Sequence, residues 1–298
     1  MTQSMLTEQR RLFLTSLVTE LLSVDATGIP NIADRSSEGS KGIARAAIER
    51  LLELGSAPVR TKEVGQVVGR KFEELVATFL RATFPRLTVL RPGHWRVDST
   101  VTEIQNFEPF RLLANLIKLR SNKTLMDDPA LREAAFGDQY LIRPDVVVTR
   151  RPEPDEVINK TAMLVDLQSG LRSPMREANH IANHVPSILH ACVSCKFTIR
   201  SDRAQNVRSE AISLLRFRRG HAPHIVAVTC EPLPSRIASI ARGTGEIDCV
   251  YHAFLPELLA GAREYCQGGL SEQIEELDYL VQADRLRDIA DLPLDLAM

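Results

Sequence analysis

Apolar residues recur every three or four positions in three stretches of the first third of the chain, which is the spacing of amphipathic helices. Thr7 is placed to cap a first helix that reaches about Leu22. A second spans Ser40 to Leu54, with Ile43, Ala47, Ile48, Leu51 and Leu52 on its apolar side and Gly55 as its stop. A polar loop carrying Asp34 lies between them. The third runs from about Gln66 to Phe84 on Phe72, Leu75, Val76, Phe79 and Leu80; it carries Glu73 in its first half and ends at Pro85. Short strands are predicted at Leu87 to Leu90 and near Trp95 to Val97, followed by a helical stretch from Phe110 to Ala135.

From residue 140 onwards β-branched runs replace the helical period. Val146-Val147-Val148-Thr149 follows Pro144-Asp145, and Ile225 to Thr229 and Ile247 to Tyr251 have the same character, so all three predict sheet strands. Cys192 to Ile199 alternates: Ser194, Lys196 and Thr198 share one face, and Cys195, Phe197 and Ile199 the other. Ser201 or Asp202 then caps a helix reaching about Arg219. Strands separated by helices, with helices at both ends, predict an α/β fold with a central mixed sheet flanked by helices. No repeat or Gly/Ser linker interrupts it, so residues 1–298 read as one domain with its core at about 140–252.

Composition adds mainly exclusions. An apolar fraction of 44% and a charged fraction of 25% over 298 residues rule out wholesale disorder. The longest uncharged run, Ala178 to Cys195, contains three His and two Asn and suits no membrane span, and the first 24 residues read as an amphipathic helix rather than a signal peptide. Five cysteines, an odd number in a chain of this size, point to reduced thiols and a cytoplasmic location. A net charge of −1 argues at first against a polyanionic partner. Its distribution reverses that inference: Lys196 to Arg219 holds seven basic and two acidic residues, net +5, whereas Ser271 to Met298 is net −6 and reads as a solvated face.

The chemistry-bearing pattern lies in the same region. A Pro-Asp at one strand and a lysine on another put an acid and an amine at one sheet edge, which suits phosphodiester cleavage: Asp145 can hold magnesium, and Lys196 can orient the attacking water and offset phosphate charge. The usual nuclease pattern places an acid two residues before the lysine; here that residue is Ser194, and Glu210 on the following helix is placed to supply the missing carboxylate. Taken alone, the pair reads equally as a strand-end aspartate and a snorkelling lysine. Arg200-Ser201-Asp202-Arg203 sits where a strand gives way to a helix, a geometry that brings side chains into a major groove; arginine reads guanine and aspartate accepts from cytosine, which suits a G·C-rich site. A solvated helix cap explains the same cluster without DNA.

The string from His190 to Glu210 resembles the NgoMIV-type family of type II restriction endonucleases, within the PD-(D/E)xK nuclease superfamily. Pro144-Asp145, Pro223 to Thr229, Pro234 to Ile237 and Gly243 to His252 resemble its segments in the same order, as do Ala33-Asp34, Gly65-Gln66, Phe72-Glu73, Arg91-Pro92-Gly93 with Trp95, and Asp291 to Leu296. The resemblance implies a single restriction-endonuclease-like domain in which Asp145 and the main-chain carbonyl of Cys195 bind catalytic Mg2+, and Lys196 is the catalytic lysine. It makes Ser194 the family's serine in place of the acid, and Glu73 and Glu210 its additional active-site carboxylates. It further implies that Arg200, Asp202 and Arg203 read a central CCGG, that Asp34, Gln66 and Arg236 read the outer G·C pairs, and that double-stranded DNA is cut at GCCGGC after the first G to leave 5′ CCGG overhangs. Homotetramers of two back-to-back dimers are the assembly it implies.

The rivals are a relative reading another CCGG-centred site and a sequence-specific DNA-binding protein that never cuts, although the latter needs none of Asp145, Lys196 and Glu210. Cys192-x-x-Cys195 has no second cysteine pair to complete a zinc site and reads as core thiols rather than a redox pair. His180 and His184 lack a third ligand, Gly243-Thr244-Gly245 reads as a tight turn before a strand, and Trp95 reads as core or interface.

Overall fold

The computed structural model describes residues 3–52, 65–100, 103–110, 142–180, 185–243, 245–266 and 271–298. The helix expected from Phe110 to Ala135, the Gly55 stop, Thr244 and His184 lie almost wholly outside them. Helix α1 (Met5–Ser16) continues as a π-turn (Leu17–Leu21), and α2 (Glu38–Leu51) and α3 (Gly65–Thr83) follow. Strand β1 (Trp95–Asp98) and β2 (Val146–Arg150) lead through a short α4 (Asp155–Ile158) to the long β3 (Ile188–Lys196). Then α5 (Ser201–Phe217), β4 (His224–Thr229), α6 (Pro234–Ala241) and β5 (Cys249–His252) alternate. Helices α7 (Leu255–Cys266) and α8 (Ser271–Gln282), strand β6 (Leu286–Asp288) and the short α9 (Leu292–Asp295) close the chain.

The six strands form one mixed sheet in sequence order. Strands β1 to β3 pair antiparallel and β3 to β6 parallel, so the sheet is the mixed, helix-flanked α/β architecture expected. Each parallel step needs a crossover, and α5, α6 and the α7–α8 pair supply them. The central strands are apolar on both faces: Val146, Val148, Val193 and Val226 on one face and Val147, Cys192 and Ala227 on the other are all at most 3% exposed. They join the apolar sides of α1, α2 and α3 in one continuous core.

Several boundaries differ from expectation. Ser4, not Thr7, caps α1: its hydroxyl accepts the Thr7 N–H at 3.2 Å, and the Thr7 hydroxyl contacts it at 2.7 Å. Arg200 is the N-cap residue of α5, with Ser201 and Asp202 already helical and no side chain capping it. No strand forms at Leu87 to Leu90; the segment is a turn that pairs with no described strand, and although Leu87 packs against the core, Val89 is 96% exposed. Strand β3 begins earlier than the alternation suggested and ends at Lys196, leaving Phe197 to Ile199 as a bend. The acidic tail is only partly a solvated face. Asp288 and Glu257 both receive the Arg10 guanidinium, and Asp295 accepts from the Tyr251 hydroxyl and Arg287.

Candidate active site and DNA-facing cleft

Antiparallel pairing of β2 with β3 sets Val146 opposite Val193, so Asp145, just before β2, lies beside the end of β3. Its Oδ2 accepts the Cys195 backbone N–H at 2.7 Å and a hydrogen bond from Lys196 Nζ, also at 2.7 Å. Both side chains are about one-fifth exposed, at 20% for Asp145 and 19% for Lys196. The Cys195 contact seen is through its N–H, with its thiol buried among core residues. Ser194 shares the strand face of Lys196, and its buried hydroxyl oxygen has no hydrogen-bond partner among the described residues.

Two further carboxyls complete this cluster. Phe72 on α3 packs edge-on against Phe197 with ring centroids 5.6 Å apart, which holds the helical turn carrying Glu73 against the end of β3. Glu210 lies on α5 between the buried Val207 and Ala211 and Leu214, so it too faces the sheet. Burial, then the Asp145 charge, pushes the Glu73 carboxyl up to about 7 despite Lys196. Burial also raises Glu210, against the lowering effect of Lys196. Burial alone would lower the Lys196 ammonium, but the charge and hydrogen bond of Asp145 outweigh it and the net direction is upward. Three carboxyls surround the Lys196 ammonium, with Arg70 adding a weaker charge at Glu73, so the described residues hold an excess of hard oxygen donors there. No group of three His, Cys, Asp or Glu side chains among the described residues is already drawn together as a metal cage, but a divalent ion fits the donor chemistry and the charge imbalance.

Beyond Phe197 the bend opens into a cleft of about 1250 Å³ lined by Asp34, Arg200, Arg203, Arg208 and Arg236. Arg236 near the start of α6 pairs with Asp34 from the loop before α2, across 202 residues of sequence. Asp34 is held at about 2, first by the Ser36 hydroxyl and N–H and then by Arg236. Arg203 donates to the Thr198 carbonyl at 3.1 Å, while Arg200 and Asp202 are exposed at the start of α5. Gln66 is exposed at the start of α3 and does not line the cleft, nor does Asp202.

Trp95, expected in the core or an interface, packs against Phe84 and His190 and donates to the Arg91 carbonyl at 3.0 Å. His180 Nε2 meets the Pro174 carbonyl, and His184 lies outside the described residues. One residue escaped sequence reasoning. Glu231, fully buried just after β4, accepts the Ile199 N–H at 2.8 Å and the Leu233 N–H at 3.1 Å. The signal was an acid between the β-branched run of β4 and Pro232, where a loop residue would ordinarily be solvated.

Comparison with known proteins agrees with this arrangement. Residues 13–298 match the family described as NgoMIV restriction enzyme. The type II restriction enzyme NgoMIV of Neisseria gonorrhoeae is 41% identical over 298 residues, covering 98% of each chain. The chain belongs to the NgoMIV restriction enzyme family, a family of type II site-specific deoxyribonucleases that act on double-stranded DNA.

Proposed function

We propose that this enzyme cleaves double-stranded DNA at GCCGGC, between the first G and C, leaving 5′ CCGG overhangs in a Mg2+-dependent reaction. The observation that carries the reading is the meeting of Asp145 and Lys196 at 2.7 Å, one bend away from a cleft bearing Arg200, Arg203 and the Asp34–Arg236 pair. Arginine donates to guanine O6 and N7 and aspartate accepts from cytosine N4, which supports G·C pairs as the target of both groups. Arg200, Asp202 and Arg203 take the central CCGG in this reading, and Asp34, Gln66 and Arg236 the outer pairs.

A water molecule attacks the scissile phosphorus in line with the departing 3′ oxygen. A bond from phosphorus to the water oxygen forms as the bond to O3′ breaks; the water gives up a proton to solvent and O3′ takes one from it, and the ends carry 5′-phosphate and 3′-hydroxyl groups. Lys196 orients that water and offsets charge on the phosphate, and Asp145 fixes the ammonium for the task. Asp145 and the Cys195 carbonyl would hold Mg2+, with Glu73 and Glu210 adding negative charge nearby, and the ion would supply Lewis-acid stabilisation of the phosphate. Ser194 stands where other nucleases place an acid, and its unpartnered hydroxyl suits a water held beside Lys196.

A twofold palindrome is read most simply by a twofold pair of chains. A tetramer of two such dimers gains support from residues 163 to 171, where Met163, Leu164, Leu167 and Leu171 are 57–91% exposed, an apolar surface that suits a protein contact. All five cysteines are free thiols, which supports a reducing, cytoplasmic location; no described helix is long and apolar enough to cross a membrane.

The test is digestion of plasmids carrying one or two GCCGGC sites, with the cut ends sequenced and the protein's mass measured in solution. Cleavage at GCCGGC with a 5′ CCGG overhang is the expected result. Ends mapping to another CCGG-centred site would replace the specificity, and a monomer with equal rates on both plasmids would remove the tetramer.

A further inference from the structure

The main chain of Glu231 is anchored to the sheet on both sides. Its N–H donates to the Thr229 hydroxyl at 3.0 Å, and its carbonyl meets His252 Nε2 at 3.1 Å. From that fixed point the side chain reaches across to the segment before α5 and, two residues along its own chain, to the start of α6. Oε2 accepts the N–H of Ile199, the residue before Arg200, and Oε1 accepts the N–H of Leu233, the N-cap residue of α6, three residues before Arg236. Oε2 also lies 4.0 Å from the Arg236 guanidinium, whose other contact is Asp34. The Glu231 side chain is fully buried, so it faces neither solvent nor the cleft.

We propose that Glu231 is a positioning residue for base recognition: one carboxylate ties the segment carrying Arg200, Asp202 and Arg203 to the segment carrying Arg236 and holds the two sets of readers in register on a rigid sheet end. The inference rests on the assignment of those residues to the central and outer base pairs. A merely stabilising role needs only acceptors for the two N–H groups; Glu231 meets both from one planar group and also sets Oε2 4.0 Å from the Arg236 guanidinium, so the backbone before Arg200 and the Arg236 side chain share one oxygen. What the carboxylate alone provides is two strong acceptors at a fixed spacing. Readers of separate base pairs need that spacing, because small displacements break bidentate hydrogen bonds.

Glu231→Gln keeps the shape and removes one acceptor, since the amide –NH2 must then face one of the two N–H groups. The enzyme and this variant are compared on GCCGGC and on ACCGGT, where only the outer pairs differ, by kcat and KM for cleavage and by duplex binding in calcium. The expected result is at least a tenfold loss of discrimination between the two sites, carried by KM and Kd, with kcat on GCCGGC within about threefold of the parent. A variant with a lowered Tm and unchanged discrimination overturns the proposal. Should the variant not fold, amide hydrogen exchange on the parent enzyme decides: Ile199 and Leu233 should exchange as slowly as β4, and rapid exchange at either overturns it. A parent enzyme that does not prefer GCCGGC would instead refute the base assignment, a result separable from failure of the tie.

Discussion

Replacing Lys196 by alanine separates chemistry from binding and tests the electrostatic reading of the cluster. The substitution removes the ammonium bonded to Asp145 at 2.7 Å and leaves the Asp145, Glu73 and Glu210 carboxyls with the weaker charge of Arg70, which acts on Glu73. Breaking a fully buried pair costs about 3–5 kcal/mol. With both groups one-fifth exposed, solvent screening reduces that to about 2 kcal/mol. Unfolding entropy of about 2 cal/mol/K per residue amounts to about 0.6 kcal/mol/K for the whole chain, so Tm should fall by about 3 °C.

The pH dependence has a definite sign. Lys196 lowers the Glu73 and Glu210 carboxyls, so its loss lets both keep their protons to higher pH than in the parent, Glu73 to above about 7. A carboxyl raised above its unfolded value destabilises most when ionised, so the deficit should be largest above pH 7 and shrink as pH falls towards the unfolded value. Calcium, which supplies positive charge to the same oxygens, should restore the lost Tm. Cleavage loses far more, on the order of 10³-fold, about 4 kcal/mol of barrier. Plasmid cleavage in magnesium, anisotropy of a GCCGGC duplex in calcium, and melting at pH 6 and pH 8 measure the three effects. Cleavage within tenfold of the parent, or binding lost in proportion to cleavage, would refute the assigned role.

Other expectations concern the fold around the site. His252 is fully buried, accepts the Phe254 N–H on Nδ1 at 3.2 Å and is held by burial at about 4. The unfolded chain takes up a proton that the native imidazole refuses, so stability should fall as pH drops below about 6.5, by about 2 kcal/mol at pH 5 from this group. Denaturant melts at pH 7.5 and pH 5 should show a shallower pH slope for His252→Gln, and equal slopes would count against the assignment. On α7, a Cβ at Gly261 would stand 2.5 Å from the Ala47 backbone nitrogen on α2, so Gly261→Ala must push two helices apart. A loss of about 2–3 kcal/mol and a Tm lower by about 3–5 °C are expected in calorimetry; an unchanged Tm would mean the helices do not approach so closely.

Legibility in the sequence followed how local the determining physics is. Helix α3 was readable because Phe72, Val76, Phe79 and Leu80 repeat at the helical period and all are buried. Strands β2 and β4 were readable from their β-branched runs. Strand β6 was not, since Leu286–Asp288 is three residues long in an acidic tail and exists by pairing with β5. Leu87 to Leu90 failed in the opposite way: a local preference for strand had no neighbour to pair with. In the site, Asp145, Lys196 and Glu210 were legible from residue type and spacing, whereas Glu231 was invisible because its burial depends on the Ile199 N–H, which the fold brings to it across 32 residues.

By itself, the sequence determined the periods of its elements, the alternation that sets Ser194 and Lys196 on one face, and the concentration of +5 charge between Lys196 and Arg219. These follow from local sterics and side-chain chemistry, which act over a few residues. Only the tertiary structure decided that Asp145 meets Lys196 across 51 residues, that Asp34 meets Arg236 across 202, and that Glu231 joins the backbone before α5 to the start of α6. Those juxtapositions depend on strand register and crossover connections, which the burial of one shared core selects and no local pattern encodes.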